Sequence, residues 1–554
     1  MSKTVNIFCH NTGRTHKVPL GFRLDDVFEM LELDMPYGCT SARVNNKVEG
    51  LHYAIFSDKD VEFLDIRSQS GLRTYTRSLF FVLYKATKDL YPNSSLRIDT
   101  SVSNGYYCQP TGIDEPVTED VAARLRRRMQ EIIDANIPFH RISCHTEDAI
   151  RLFREKGLDA KADLLEGIGE LYTFYYTLDD CVDYFYGSLL INTGQIGLFG
   201  LEPFYDGLLL RLPDPENPKR LKPMREQGKM FNVFQEQHRW QQILGVRTVG
   251  ELNRATDAGL FNSLINVSEA LQEKRISAIA DRIASDERKK VVLIAGPSSS
   301  GKTTFSKRLA VQLWACGKRP VAIEMDNYFV DREKTPLDKD GEYDFESIKA
   351  LNIPLLEKHI KALLRGEEVE LPKYNFQTGL SERSGVKLRV PSDAIIILEG
   401  IHALNPMLTK NIPAETKFKI YASALTSILL DNHNYVPTTD NRLLRRIVRD
   451  HKYRGYSATE TIRRWPSVRA GEEKWIFPFQ EEADEMMNTA LLFELAVLRT
   501  QALPLLEQVP QNVPEYSEAH RLRRFLSYLK PIPDHGLPPT SLLREFLGGS
   551  TFNY

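Results

Sequence analysis

The sequence predicts an α/β protein whose C-terminal half is a parallel sheet with flanking helices around a phosphate-binding loop. A small β-grasp module and an α+β module are expected to precede it. Three observations carry that expectation. A G-x-x-x-x-G-K-[ST] run, 296–303, stands between a β-branched apolar stretch and an amphipathic helical stretch. From Lys290 onward, strand-like and helix-like segments alternate towards the C-terminus. The first 66 or so residues read instead as short strands, polar turns and one short helix.

Composition bounds the answer. The chain has 554 residues, with 72 Lys+Arg against 74 Asp+Glu and a formal net charge of −2. At about 100–200 residues per domain, this implies roughly three or four units. A hydrophobic fraction of 42% with 26% charged residues suits packed cores. The near-neutral balance excludes a uniformly basic nucleic-acid coat. The opening MSKTVNIFCHNTG has no apolar signal core, and no run of about 18 apolar residues occurs, so a cytoplasmic protein without membrane contact is expected. Six Cys without a CxxC pairing fit reduced thiols rather than a disulfide framework.

The expected division is 1–66, 67–220, 221–287 and 288–554. In the first unit TVNIFCH and HKVPL form a hairpin about the polar turn Asn11-Thr12-Gly13-Arg14, LDDVFEMLEL is a short amphipathic helix, and VEFLDI closes the unit as a strand. In the second, the helix TEDVAARLRRRMQEIIDA alternates with the extended pieces LRIDTSV, YGSLLINTG and DGLLLRL. LPDPENPKRLKP, with four Pro in twelve residues, reads as a linker. A helix-rich connector follows, with apolar residues at helical spacing in SEALQEKRISAIADRIA.

The last unit carries the chemistry. Val291 to Ala295 reads as a buried parallel strand. In the loop after it the glycines let the backbone wrap a phosphate, successive N–H groups and the helix N-terminus supply positive potential, Lys302 reaches the β- and γ-phosphates, and the Thr303 hydroxyl ligates Mg²⁺. AIIILEG is a second buried strand ending in Glu399, an acid able to hold Mg²⁺ through a bound water. VAIEMDNYF ends a strand near Asp326, where the hydroxyl accepting a phosphoryl group would need a base. NRLLRRIVRDHKYRG places Arg442, Arg445, Arg446 and Arg449 three or four residues apart, with Arg454 just beyond. Beside a phosphate loop, such a cluster suits a lid that neutralises a transferring phosphoryl group.

In order and approximate spacing GPSSSGKT, MDNYF, GEYDFES, LPKYNF, ILEGIHAL, RRIVRDHKYRG and the closing PPTSLLREFLGGS resemble the uridine kinase family of P-loop kinases, with phosphoribulokinase as a more distant relation. The resemblance covers about 288–554. It implies ATP-dependent, Mg²⁺-assisted phosphorylation of a nucleoside 5′-hydroxyl or a similar small hydroxylated substrate. Gly296, Pro297, Ser298, Ser299, Ser300, Gly301, Lys302, Thr303 and Thr304 would bind ATP, with Thr303 and Glu399 on the metal. Asp326 would be the catalytic base beside Lys302. Tyr328 and Asp344 would hold the sugar, Tyr374 and Phe376 would flank the base, Arg442 and Arg445 would touch substrate, and Arg446, Arg449 and Arg454 would form the lid. One position departs: the family's base-reading His, three residues after the Phe, is Gly379 here, which leaves space where an imidazole would stand and removes a hydrogen-bonding group that discriminates bases. Family members commonly assemble as tetramers, so a homo-oligomer is expected.

The N-terminal half resembles two other modules. Residues 1–66 resemble a TGS domain, and 68–212 resemble the second additional domain of threonyl-tRNA synthetase through LYPNSSLRIDTSVSNGYYC and INTG. That domain's H-x-x-x-H and C-x-x-x-H metal pairs fall on Ser78 and Val82 and on Cys181 and Phe185, which cannot replace three imidazoles; Cys144 and His145 are adjacent and do not rescue the set, so no zinc is expected. The alternative function is a P-loop NTPase switch associated with tRNA or ribosome through the TGS-like half, with basic clusters such as RLRRRM as its RNA-facing support.

Overall fold

The computed structural model describes residues 3–338, 341–375 and 377–553. The expected hairpin forms from β1 (Thr4–Cys9) and β2 (Arg14–Pro19), followed by α1 (Leu24–Met30), β3 (Ser41–Val44), β4 (Lys47–Glu49) and β5 (Lys59–Leu64). The sheet order is β2-β1-β5-β3-β4, with β5 parallel to β1 and the other pairs antiparallel. Ile7, Val18, Leu24, Val27, Val61 and Phe63 fill the space between sheet and helix. This is the β-grasp arrangement that the alternation of short strands dictates.

The long helix α2 (Gln69–Leu90) starts at Ser68, whose Oγ accepts the Gly71 N–H at 3.0 Å. It packs under the sheet β11-β12-β7-β6, built from β6 (Ser95–Val102), β7 (Gly105–Thr111), β11 (Gly200–Phe204) and β12 (Gly207–Arg211). A second sheet joins β8 (His140–His145), β9 (Tyr172–Leu178) and β10 (Cys181–Asp183), with α4 (Thr146–Glu155) against it and α5 (Asp159–Glu166) against α4, while α3 (Glu119–Asp134) packs on α2 and β11. The extended piece YGSLLINTG meets its neighbours singly, as where Ser78 Oγ accepts the Leu190 N–H at 2.9 Å. One reading needs correction: the Pro-rich stretch is not an open linker. It folds as a tight hairpin of β13 (Pro213–Asp214) and β14 (Asn217–Leu221), with Pro213 and Pro218 in the strands and Pro215 between them, closed by Arg220 on Asp214 at 2.9 Å.

Helices α6 (Gly228–Leu244), α7 (Val249–Asp257) and α8 (Phe261–Ser285) lead to the parallel sheet. Its strands are β15 (Val291–Ala295), β16 (Arg319–Glu324), β19 (Ala394–Glu399), β20 (Lys417–Ser423) and β23 (Glu485–Asn488), in the order β16-β19-β15-β20-β23. Strand β15 is buried on both faces. Val292 and Ile294 meet Ile279 of α8 and Phe305 of α9 (Lys302–Ala315), whereas Val291 and Leu293 meet Ile360 and Leu363 of α10 (Ile353–Leu364). A hairpin of β17 (Val369–Asn375) and β18 (Leu380–Leu388) stands beside the sheet, and α11 (Pro406–Thr409) is a single turn. The small hairpin β21 (Leu429–Asp431) and β22 (Asn434–Tyr435) precedes the Arg-rich α12 (Thr438–Arg454), which Gly455 ends at φ +71°. Helices α13 (Ala458–Trp475), α14 (Glu494–Glu507), α15 (Tyr516–Ser527) and α16 (Arg544–Leu547) complete the chain. Leu79 and Phe81 of α2 share one apolar core with Leu443 and Leu444 of α12 and Leu522 of α15, so the two halves are packed together. No helix among the described residues is long and apolar enough to cross a membrane.

Candidate functional site

The phosphate loop runs from the end of β15 into α9. Its backbone needs residues tolerant of left-handed φ: Ser299 at +58° and Gly301 at +79°. Gly296 is fixed by proximity, since a Cβ there would lie 1.9 Å from the Ala422 carbonyl oxygen. Neighbouring elements hold the loop open: the Ser298 N–H donates to Glu472 Oε1 at 3.1 Å, and the Thr489 hydroxyl donates to the Ser300 carbonyl. The Ser299 and Ser300 hydroxyls are buried without partners.

At the mouth, Lys302 Nζ lies 4.0 Å from Glu399 Oε1 and donates to the Pro297 carbonyl at 3.3 Å, while Thr303 Oγ1 donates to Glu399 Oε2 at 3.3 Å. Glu324 and Glu399 are register neighbours on β16 and β19, and Asp326 sits exposed in the turn just past β16. Burial pushes the Glu399 carboxyl up to about 8; Lys302 opposes this, and the negative charges of Asp326, Glu545 and Glu324 add to it. Such crowding of carboxylates beside a hydroxyl, a lysine and a bed of N–H donors is chemistry that suits a Mg²⁺-complexed phosphate chain, and Thr303 and Glu399 are the residues that could donate to the ion.

The five arginines divide. Arg446 Nη1 donates to Ser298 Oγ at 2.8 Å, and Arg446, Arg449 and Arg454 all gather on Asp450. Packed next to Arg449, and then by burial, Arg454 is pulled down to about 10, with Asp326 among the charges that oppose the fall. Arg446 therefore touches the loop, and Arg449 and Arg454 stand beside it on the shared Asp450. Arg442 and Arg445 are buried in ion pairs instead, Arg445 also reaching the Ser299 carbonyl at 3.5 Å, and their expected substrate role is corrected. Arg442 is 1% exposed and forked on Glu472 at 2.5 and 2.6 Å; Arg445 is fully buried, on Glu494 at 2.6 Å and the Thr489 carbonyl at 2.9 Å. Both guanidiniums are consumed by buried carboxylates, so they brace the lid helix.

The expected sugar and base residues also divide. Tyr328 is 1% exposed and its hydroxyl lies 3.0 Å from His359 Nδ1 inside the core, which corrects its assignment to the sugar. Asp344 is half-buried, with its carboxyl raised by burial and Lys474 opposing the rise. Tyr374 is buried, with its ring 5.5 Å from Phe329; Phe376 lies outside the described residues. The space expected at Gly379 is filled. Its φ is +76°, a Cβ there would meet Arg332 Nε at 2.7 Å, and its carbonyl accepts the Arg332 N–H at 2.7 Å.

Sequence reasoning missed Glu346. Its Oε2 is buried without a partner, and its Cβ lies 2.2 Å from where a Cβ on Gly471 would stand, one residue from the Glu472 that holds the loop. Burial pushes it up to about 7, with Glu472 and Asp326 adding and Arg446 and Lys302 opposing. Its signal was an acid two residues past Asp344, in a segment read only for its YDF.

In the N-terminal half, Val82 and Phe185 are fully buried, Phe185 lies 5.8 Å from Phe81, and the Ser78 hydroxyl donates to the Thr74 carbonyl. Burial, then Asp180, pushes the Cys181 thiol up to about 12. Among the described residues, no group of three or more His, Cys, Asp or Glu is placed to hold a metal ion. Three of the four RLRRRM arginines are engaged by acids: Arg124 with Glu115, Arg126 with Glu119, and Arg128 with Asp89 and Glu131.

A parallel sheet with a phosphate loop at its centre and an arginine-rich helix beside that loop is the frame of a P-loop phosphotransferase. The chain belongs to the phosphoribulokinase / uridine kinase family, whose pattern matches 291–491. A uridine kinase of Halobacterium salinarum is 31% identical over 193 residues, 34% of this chain and 76% of that protein. The N-terminal region is similar to threonine–tRNA ligases. That of Clostridium tetani is 27% identical over 186 residues and that of Syntrophotalea carbinolica 32% over 162; the chain spans only 29% and 25% of their lengths. Among solved structures, a putative fructose transport system kinase from Silicibacter sp. TM1040 is 19% identical with a TM-score of 0.27, covering 38% of this chain and 98% of that one. A possible uridine kinase from Bacillus stearothermophilus is 19% identical with a TM-score of 0.26, covering 39% and 97%.

Proposed function

We propose that the chain is an ATP-dependent kinase acting on the 5′-hydroxyl of a nucleoside or on a primary hydroxyl of a similar small molecule. The observation that carries this is the convergence of Lys302, Thr303, Glu399 and Asp326 at one mouth, with Arg446 on the loop and Arg449 and Arg454 beside it on Asp450. The loop N–H groups and Lys302 hold the β- and γ-phosphates. Mg²⁺ on Thr303 and Glu399 would neutralise their charge. Asp326 accepts the proton of the acceptor hydroxyl as its oxygen bonds to the γ-phosphorus; the bond from that phosphorus to the bridging oxygen breaks, and ADP leaves. The lid arginines stabilise the charge on the moving phosphoryl group. Asp344 and Glu346 supply acceptors for further hydroxyls of the substrate. With Arg332 where a base-reading imidazole was sought, a strict pyrimidine preference has no support.

The test is purified full-length protein with Mg-ATP and a panel of nucleosides, ribose sugars, small polyols and carboxylated or phosphorylated acceptors. ADP release is scored together with the mass of the acceptor. A nucleoside gaining one phosphoryl group supports the reading. ATP hydrolysis with no phosphorylated acceptor would refute it and favour an NTPase switch.

A further inference from the structure

The closing segment of the chain reaches the phosphate loop. Leu542 is fully buried in the core beside α8, α9 and the sheet, and its Cδ2 lies 3.0 Å from where a Cβ on Gly301 would stand. Phe546, also fully buried, carries the Arg445 guanidinium 5.0 Å from its ring, and Lys452 Nζ donates to the Leu547 carbonyl at 2.5 Å. Between these anchors stands Glu545, only partly buried. Its Oε2 accepts two hydrogen bonds from one residue of the loop helix: from the Thr304 N–H at 3.2 Å and from Thr304 Oγ1 at 2.7 Å.

Thr304 is the third residue of α9 after its N-cap, Gly301. A first-turn N–H has no carbonyl partner within its own helix. In a P-loop these donors are the ones presented to the α- and β-phosphates. Glu545 is also one of the negative charges that push Glu399 up, which places it within the electrostatic reach of the proposed metal site. One carboxylate therefore holds a donor that the nucleotide needs, and two anions cannot share it without strong repulsion.

We infer that Glu545 competes with the phosphates of the nucleotide for the first turn of α9, so that binding a nucleoside triphosphate expels this carboxylate from Thr304. The apolar anchors Leu542, Phe546 and Leu547 remain in place, and a side-chain rotation of Glu545 suffices. The closing segment thereby sets nucleotide affinity from outside the loop. This inference rests on the nucleotide reading above and deepens it.

Calorimetric titration of the full-length protein with Mg²⁺ and a non-hydrolysable ATP analogue tests it. Glu545→Ala and Glu545→Gln are expected to bind the analogue about five- to tenfold more tightly than wild type, the range that an anion at a helix N-terminus commands. The Gln variant keeps the size of the side chain, so it decides the matter if the Ala variant fails to fold. Binding unchanged or weakened in a folded Glu545→Gln overturns the competition and makes Glu545 a helix cap or a nucleotide contact. A wild type that binds no better than Lys302→Ala overturns the nucleotide reading itself, and this inference falls with it.

Discussion

Asp326 and Glu346 show what single residues can and cannot disclose. The position of Asp326 is legible, because the apolar run VAIEM marks a strand whose end lies beside the phosphate loop, where a base for an acceptor is expected. Asp326→Asn keeps shape and hydrogen bonding but removes basicity. Turnover is expected to fall by roughly 10²–10⁴-fold with nucleotide affinity little changed, measured by steady-state kinetics and calorimetry. Poor ATP binding with normal turnover would make Asp326 a nucleotide contact instead. Glu346 was not legible, because nothing in a linear acid reports that its oxygen ends up buried, unpartnered and facing Arg446, Glu472, Lys302 and Asp326. Held up at about 7 by burial, it ionises as pH rises through neutrality and then becomes a stronger acceptor for a substrate hydroxyl. The KM for the acceptor in the wild type is therefore expected to fall from about pH 6 to about pH 8. In Glu346→Gln it should be about ten- to hundredfold higher and flat with pH, while the KM for ATP is unmoved. A pH profile identical in both proteins would remove Glu346 from the acceptor site. Gly379 failed in the other direction: the sequence offered an empty place, and Arg332, forty-seven residues away, fills it.

At the scale of the element, the Arg-rich helix α12 teaches the same lesson more sharply. Spacing of three and four placed its arginines on neighbouring faces, and they are there; it could not say which face looks at the loop and which at a buried acid. Arg445 and Glu494 are 0% and 1% exposed, so removing one partner strands the other charge. Arg445→Met is expected to cost about 3–5 kcal/mol and to lower the melting temperature by on the order of 10 °C. Adding Glu494→Leu should recover most of that loss, since a buried ion pair replaced by apolar side chains of similar volume is often neutral. A double variant no more stable than the single would show that Arg445 acts through its contact with the Ser299 carbonyl rather than through Glu494. The Pro-rich stretch was misread for a related reason. Prolines sit in and beside the short strands β13 and β14 as readily as in a linker, and it is the pairing of those strands, closed by Arg220 on Asp214, that distinguishes the two.

Across the whole molecule, how closely the halves join is not legible in the sequence, because the contacts that join them lie hundreds of residues apart. The hairpin β21–β22, which leads into the lid helix, enters the N-terminal half. The Ile98 N–H donates to the Asn432 carbonyl at 2.8 Å, and His433 Nδ1 lies 2.6 Å from Asp183 Oδ2. Lys161 completes the junction between Asp183 Oδ1 at 2.6 Å and Asp431 Oδ1 at 2.8 Å, with all four side chains 0–2% exposed. Lys161→Met keeps the length of the stem but leaves two buried carboxylates facing each other without their cation. A loss of about 3–5 kcal/mol is expected. Since Leu79 and Phe81 share their core with Leu443, Leu444 and Leu522, that loss cannot stay on one side of the junction. Calorimetry of the full chain should therefore show one principal transition that moves down as a unit in Lys161→Met, with turnover lost at the same temperature. Two separate transitions, of which only one responds to the substitution, would mean that the N-terminal half is a passenger and that the hairpin beneath the lid helix stands without it.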